Sequence, residues 1–171
     1  GLVINEFLAD PDSEGGDEGN EWVELYHGGA QSVNPDGWKL QAGGSTYSTA
    51  YTWEGSTGVQ PGDFLLIGGE MVPGADVIAD PGLSNASSSS DAVRLVDCKG
   101  FAADTVIYGT PNTDLWVDDG GGIATSLAPP PPTARALARV QDGYDTNQSG
   151  LDFVVAETNS PGASNPVVEP V

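Results

Sequence analysis

The chain breaks into short runs of strand-forming residues, each closed within a few positions by Gly, Pro, Asn or Asp. No stretch sustains a helical period. The one segment able to form a turn or two of helix, Thr133 to Val140, fits a strand equally well. Runs at 2–8, 21–26, 38–41, 46–53, 64–67, 92–96, 103–108, 136–140 and 153–156 read as strands. Several alternate with a period of two: Trp38 and Leu40 flank an outward Lys39, and Val23 and Leu25 lie opposite Trp22, Glu24 and Tyr26. The same alternation predicts Tyr47, Thr49, Tyr51 and Trp53 on one face of a hairpin arm. The first run is irregular, with polar Asn5-Glu6 set between Leu2-Val3-Ile4 and Phe7-Leu8. A bulge near Asn5 reconciles it with a strand buried on one face.

Without crossover helices such strands pair antiparallel, and two sheets packed face to face are the expected solution at 171 residues. The predicted fold is therefore all-β, an immunoglobulin-like antiparallel β-sandwich. One domain is expected over residues 1–165, with 166–171 as the start of a linker or tail. Opening inside a strand at Gly1, the sequence reads as a mature or excised domain.

Charge narrows the partners. There are 25 acidic residues against five basic ones (Lys39, Arg94, Lys99, Arg135 and Arg139), a formal net charge of −20. Such a surface repels phosphates, so nucleic acid is excluded as a partner and an anionic membrane is disfavoured. No run of 18 apolar residues exists, so direct membrane insertion is not expected. Basic partners, divalent cations or a salty medium suit the charge equally, as does a plain solubilising role. Cys98 stands alone in the apolar run from Val93 and reads as a buried, inert thiol.

Two loops carry the spacing of a metal site. From Asp10, acidic groups fall at positions 1, 3 and 5 (Asp10, Asp12, Glu14), glycine at 6 and a carboxylate at 12 (Glu21). That is the order of ligands in an EF-hand calcium loop, where alternate residues of a curled segment supply hard oxygens and glycine permits the turn. Glu14 replaces the usual Asp or Asn, and the flanks are strands, so a solvated acidic connection competes with a structural Ca²⁺ site. The second loop, Asp145-Thr-Asn147-Gln-Ser149-Gly150-Leu-Asp152, has a related but incomplete pattern. Its competing reading is an Asp/Asn/Gly turn that bonds its own backbone. Tyr47, Tyr51 and Trp53, with Trp116, are candidates for a ligand face, against the alternative of burial between sheets.

Catalysis finds little support. His27 is the sole histidine, and no serine elbow, Cys-His-Asn set or phosphate-cradling loop can be assembled. Glu6 and Glu24 form a carboxylate pair if their strands are neighbours, although strand glutamates more often bond nearby backbone. The chain is therefore expected not to be an enzyme.

In order, Val3-Ile-Asn-Glu-Phe7, Glu21-Trp-Val-Glu-Leu-Tyr26, Asp36-Gly-Trp-Lys-Leu40, Gln60-Pro-Gly-Asp-Phe-Leu-Leu-Ile67, Ala103-Asp-Thr-Val-Ile-Tyr-Gly109, Arg139-Val-Gln-Asp-Gly-Tyr-Asp145 and Ser160-Pro-Gly-Ala-Ser-Asn165 resemble the lamin tail domains of bacterial surface and secreted proteins. The resemblance spreads over essentially the whole chain. It implies an immunoglobulin-type sandwich used as a non-catalytic interaction or spacer module within a larger extracellular or cell-surface protein. A protein or glycan partner and neighbouring domains follow from it. The alternative it leaves is a carbohydrate-binding or positioning accessory domain of a secreted hydrolase. The four prolines Pro129 to Pro132 depart from the simpler family pattern and read as a stiff spacer.

Overall fold

Asn5 is the extra residue that the first strand's mixed pattern requires. Strand β1 (Leu2–Leu8) pairs antiparallel with β2 (Trp22–His27), and the register slips between Ile4 and Glu6. The bulge turns Asn5 and Glu6 away from the core while Ile4 and Phe7 both reach it. The computed structural model describes residues 1–14, 16–55 and 57–166. The tail reading beyond Pro166 therefore lies outside the described residues, as does the glycine of the first acidic loop, Gly15.

The remaining elements are β3 (Lys39–Gly43), β4 (Ser48–Thr52), β5 (Phe64–Gly68), β6 (Val77–Ile78), β7 (Asp91–Val96), β8 (Ala102–Tyr108), β9 (Leu137–Arg139), the single helical turn α1 (Ser149–Asp152) and β10 (Phe153–Val155). They form a six-stranded sheet in the order β10-β9-β1-β2-β5-β6 and a four-stranded sheet in the order β4-β3-β7-β8. Among the described residues these strands pair antiparallel, except for the short parallel pair β5–β6. The fold is the expected all-β, immunoglobulin-like sandwich. Ile4, Phe7, Val23, Leu25, Leu40, Val93, Leu95 and Val106 meet between the sheets, each with no measurable exposure. At about 25 cal/mol per Å² of apolar surface removed from water, this shared layer is the main source of cohesion between the sheets.

Three features depart from the sequence reading. β6 is two residues long, too short to carry a period. α1 was expected as turn, and Thr133 to Val140 supplies only β9, because Leu137 and Arg139 face inward while Ala138 pairs with Glu6. Cys98 is exposed, not buried. β7 ends at Val96, and the Asp97 carboxylate accepts the N–H groups of Lys99 (2.8 Å) and Phe101 (2.9 Å), forming a turn that carries Cys98 outward.

The connection after β8 folds back over the outer face of the four-stranded sheet. Trp116 and Ala124 pack on Ala92 and Ile107, and the Trp116 indole N–H donates to the Ser90 carbonyl at 3.0 Å. Asn112 braces this cover: its amide nitrogen donates to the Trp116 and Ala124 carbonyls, and its oxygen accepts the Trp116 N–H. Val117 bridges Ile123, so residues 117–123 form a small hairpin beside β8.

One polar contact crosses the core. Arg139 on β9 and Asp104 on β8 are each 1% exposed and meet at 2.7 Å (Nη2 to Oδ2). Arg139 Nε donates to the Ile4 carbonyl at 2.6 Å, and the Ile4 N–H donates to Asp104 Oδ2 at 2.6 Å. A second arm, Nη1, donates to the Tyr144 carbonyl, and the guanidinium lies 4.7 Å from the Phe153 ring centroid. Removing one member of such a buried pair strands the other charge, at a cost of about 3–5 kcal/mol. Arg139→Ala is expected to lose stability of that order in urea unfolding, whereas Lys39→Ala, at an exposed position, should stay within about 0.5 kcal/mol of the parent chain.

Candidate functional site

The first acidic loop does not close around a centre. Asp12 and Glu14 are exposed, and Asp10 is spent on the chain after the prolines: its Oδ2 accepts the Thr133 hydroxyl and its carbonyl accepts the Ala134 N–H, both at 2.7 Å. Glu21 points inward at 4% exposure, and its Oε2 accepts the Leu83 N–H at 2.7 Å. Burial, with smaller pushes from the nearby Asp80 and Asp17 carboxylates, raises the Glu21 carboxyl to about 8 against the opposing hydrogen bond from the Leu83 N–H. Asp80 is itself held by the N–H groups of Gly19 (2.6 Å) and Gly82 (3.0 Å). The end of the acidic loop is thus clasped to the segment that precedes β7.

Glu6 and Glu24 stand opposite one another on β1 and β2, on the outer face of their sheet, and both are fully buried. Glu6 accepts the N–H and hydroxyl of Ser160, and Glu24 accepts the Asn5 side-chain amide and the Gly162 N–H. Burial raises both carboxyls, that of Glu24 to about 7. Every oxygen of the pair faces a donor from the protein, so the dyad anchors the 160–165 segment and leaves no face for a sugar or a water nucleophile.

The aromatic candidates separate. β3 and β4 pair Leu40 with Tyr51 but Gln41 with Thr49, which makes Ala50 an extra residue and inverts the alternation between Thr49 and Tyr51. Tyr51 and Trp53 therefore turn toward the core, with Trp53 only 3% exposed. Tyr47 stays on the outer face, 4.6 Å from the Trp116 ring and with the Arg94 guanidinium 3.8 Å above its own. Its hydroxyl is buried and has no hydrogen-bond partner, and desolvation raises its pKa to about 12. A depression of about 500 Å³ opens here, lined by Tyr47, Arg94, Trp116, Phe101, Leu115 and Asp119 among others.

The second loop behaves as a turn in part. Asp145 Oδ1 accepts the Asn147 N–H at 3.0 Å, and Asn147 sits in the left-handed region (φ 58°). Asp152 is buried and accepts both the N–H and the hydroxyl of Thr146, with Arg139 Nη1 at 3.4 Å. Asp145 instead joins two aspartates that sequence spacing missed. Oxygens of Asp104, Asp119 and Asp145 lie within 4.8 Å of one another, the sole such trio of acidic or metal-ligating side chains among the described residues. Asp104 Oδ1 and Asp119 Oδ1 are both buried without a hydrogen-bond partner. Burial pushes Asp104 up to about 6 even though Arg139 draws it down, and burial likewise raises Asp119. A signal for Asp104 does exist: it is the one acid in β8, at an inward position in step with Val106 and Tyr108.

A model of the lamin tail domain matches residues 1–110. The chain belongs to the lamin tail domain family. No curated protein matches it. Lamin tail domains are immunoglobulin-like interaction modules and are generally non-catalytic. The matched part of this lamin tail domain runs through β8 and includes Asp104, whereas Asp119, Arg139 and Asp145 come from the chain beyond it.

Glu21 supplies a pH signature. Its carboxyl is raised from 4.5 to about 8, so the folded chain holds a proton that the unfolded chain releases between those values. This contribution to stability is complete below the unfolded pKa and is lost as pH rises through the folded one. A glutamine at the position keeps an acceptor for the Leu83 N–H and adds a donor toward Asp80. Glu21→Gln is therefore expected to be more stable than the parent at about pH 9 and equal to it at about pH 4, measured as the difference in urea midpoint.

Proposed function

We propose that this chain is a non-catalytic interaction and spacer module of a larger extracellular or cell-surface protein, and that it engages a basic protein partner through the depression beside Tyr47 and Trp116. The observation that carries this reading is the clustering of exposed large apolar side chains at that place, a larger group than the exposed pair Met71 and Ile78 that lines a separate depression. Phe101, Leu115 and Val117 are 69%, 59% and 47% exposed, and all three line the depression. Exposed apolar groups ringed by polar ones mark association surfaces. Leu115 adds strain to exposure: its φ of 59° is a backbone region that bulky residues rarely enter, and such outliers gather at ligand contacts. Asp118 and Asp119 on the rim, within a chain of net charge −20, complement a cationic surface. Neighbouring domains of the parent protein are suitable positions for such a partner.

A carbohydrate reading is favoured by one feature, the Tyr47–Trp116 pair with Arg94 alongside, an aromatic surface with a polar donor on which a sugar ring can stack. Amide-shift mapping by NMR separates the two. A short peptide of lysine and leucine is expected to shift Tyr47, Phe101, Leu115 and Trp116, and Phe101→Ser should abolish those shifts without unfolding the domain. Shifts confined to residues 10–21 would reduce the interaction to charge alone and overturn the reading. The same shifts produced by an oligosaccharide panel and not by the peptide would install the carbohydrate alternative.

A further inference from the structure

We propose that Asp104, Asp119 and Asp145 hold one Ca²⁺ ion at the open edge of the four-stranded sheet, and that the ion fastens the 117–123 hairpin to the sandwich. The proposal stands apart from the docking surface above and can fail without it.

Geometry comes first. No two of the three ligand oxygens are more than 4.8 Å apart, so one ion at a typical Ca²⁺–oxygen distance of about 2.4 Å can span any pair, and a small rotation of the loop aspartates draws all three into one shell. The residues arrive from three separate places: Asp104 from β8, Asp119 from the small hairpin, and Asp145 from the turn after β9. β8 is an edge strand, so nothing of its own sheet stands between Asp104 and these two loops.

The second observation is what the carboxylates lack. Asp104 is 1% exposed, and its Oδ2 is committed to the Ile4 N–H and to Arg139. Its Oδ1 is buried with no donor, and Asp119 Oδ1 is in the same state. A buried carboxylate oxygen without a partner is costly, and two on neighbouring side chains are satisfied together by a single cation. Arg139 cannot serve both. Its Nη2 and Nε are spent on Asp104 and Ile4, and its Nη1 donates to the Tyr144 carbonyl while standing 3.6 Å from Asp145 and 3.4 Å from Asp152. Asp104, Asp119, Asp145 and Asp152 thus gather around one guanidinium, an imbalance that a divalent ion offsets.

The donor set selects the ion. All the donors are hard oxygens, two of them contributed by loops and none by a rigid octahedral cage, and Asp145 is 21% exposed, which leaves room for water to complete six to eight ligands. That combination suits Ca²⁺ better than Mg²⁺, which demands near-ideal octahedral geometry. Asp119 lies on the same hairpin as Val117, so the ion would also steady one wall of the depression.

Isothermal titration of the chelator-treated chain with CaCl₂, paired with thermal melting, tests this. One ion per chain and a higher Tm in Ca²⁺ than in chelator are expected, with a weaker response to Mg²⁺. Asp119→Asn, at a partly exposed loop position, should keep the metal-free Tm and lose at least the roughly tenfold in affinity that even an outer partner of a metal site contributes. Asp104→Asn should lose binding as well, and Asp119→Asn keeps the test valid if that core variant fails to fold. The double variant Asp12→Asn/Glu14→Gln should bind as the parent does. No heat and no Tm change at millimolar Ca²⁺ would overturn the site in favour of a proton shared between the carboxyls. Undiminished binding by Asp119→Asn, or its loss in the Asp12/Glu14 variant, would overturn it as well.

Discussion

The sandwich depends on how β1 is finished at Ile4. The ladder between β1 and β9 begins at Glu6, and the Asn5 bulge lies between it and Ile4. Both backbone groups of Ile4 are satisfied there by side chains: the carbonyl by Arg139 and the N–H by Asp104. Arg139 belongs to the six-stranded sheet and Asp104 to the four-stranded one, so the pair that completes a strand also joins the two layers. Apolar packing supplies most of the cohesion, but it is non-directional and tolerates sliding. A buried, hydrogen-bonded ion pair tolerates little, and it fixes β8 against β1 and β9.

The same bulge organises the outer surface of the larger sheet. By turning both Asn5 and Glu6 outward it creates a polar row with Glu24 in a place where an apolar alternation would have continued. That row is sealed by Ser160, Gly162 and Asn165, with the Asn165 amide donating to the Asn5 and Arg139 carbonyls. Carboxylates that resemble a catalytic pair in sequence therefore hold the 160–165 segment in place. On the outer face of the smaller sheet Trp116 and Ala124 cover Ala92 and Ile107, while Leu115, Val117 and Ile123 beside them face water.

What could be read from the sequence was what period and punctuation encode. Nine strands fell within a residue or two of their place, and the bulge at Asn5 was legible because a polar pair interrupted an apolar run. The bulge at Ala50 was not legible, since Thr49-Ala-Tyr51 alternates acceptably in either register, and only pairing with β3 decides it. The aromatic face expected along 47–53 is divided for that reason. The acidic loop matched a calcium pattern in spacing, yet spacing is not convergence: Asp10 and Glu21 are drawn to Thr133 and Leu83, residues far along the chain.

The sequence by itself determined the fold class, the family likeness, the strand positions and the acidic character, because each follows from local alternation, turn residues and composition. Tertiary structure alone decided which carboxylates meet. Asp104, Asp119 and Asp145 are separated by 15 and 26 positions and come together only because β8 lies at a sheet edge, beside a hairpin and a turn that fold over it. Burial then changes their chemistry, since an aspartate without water must find a donor, a proton or a cation; alternation with Val106 and Tyr108 marks Asp104 as inward, but nothing in sequence marks Asp119 and Asp145 as its neighbours.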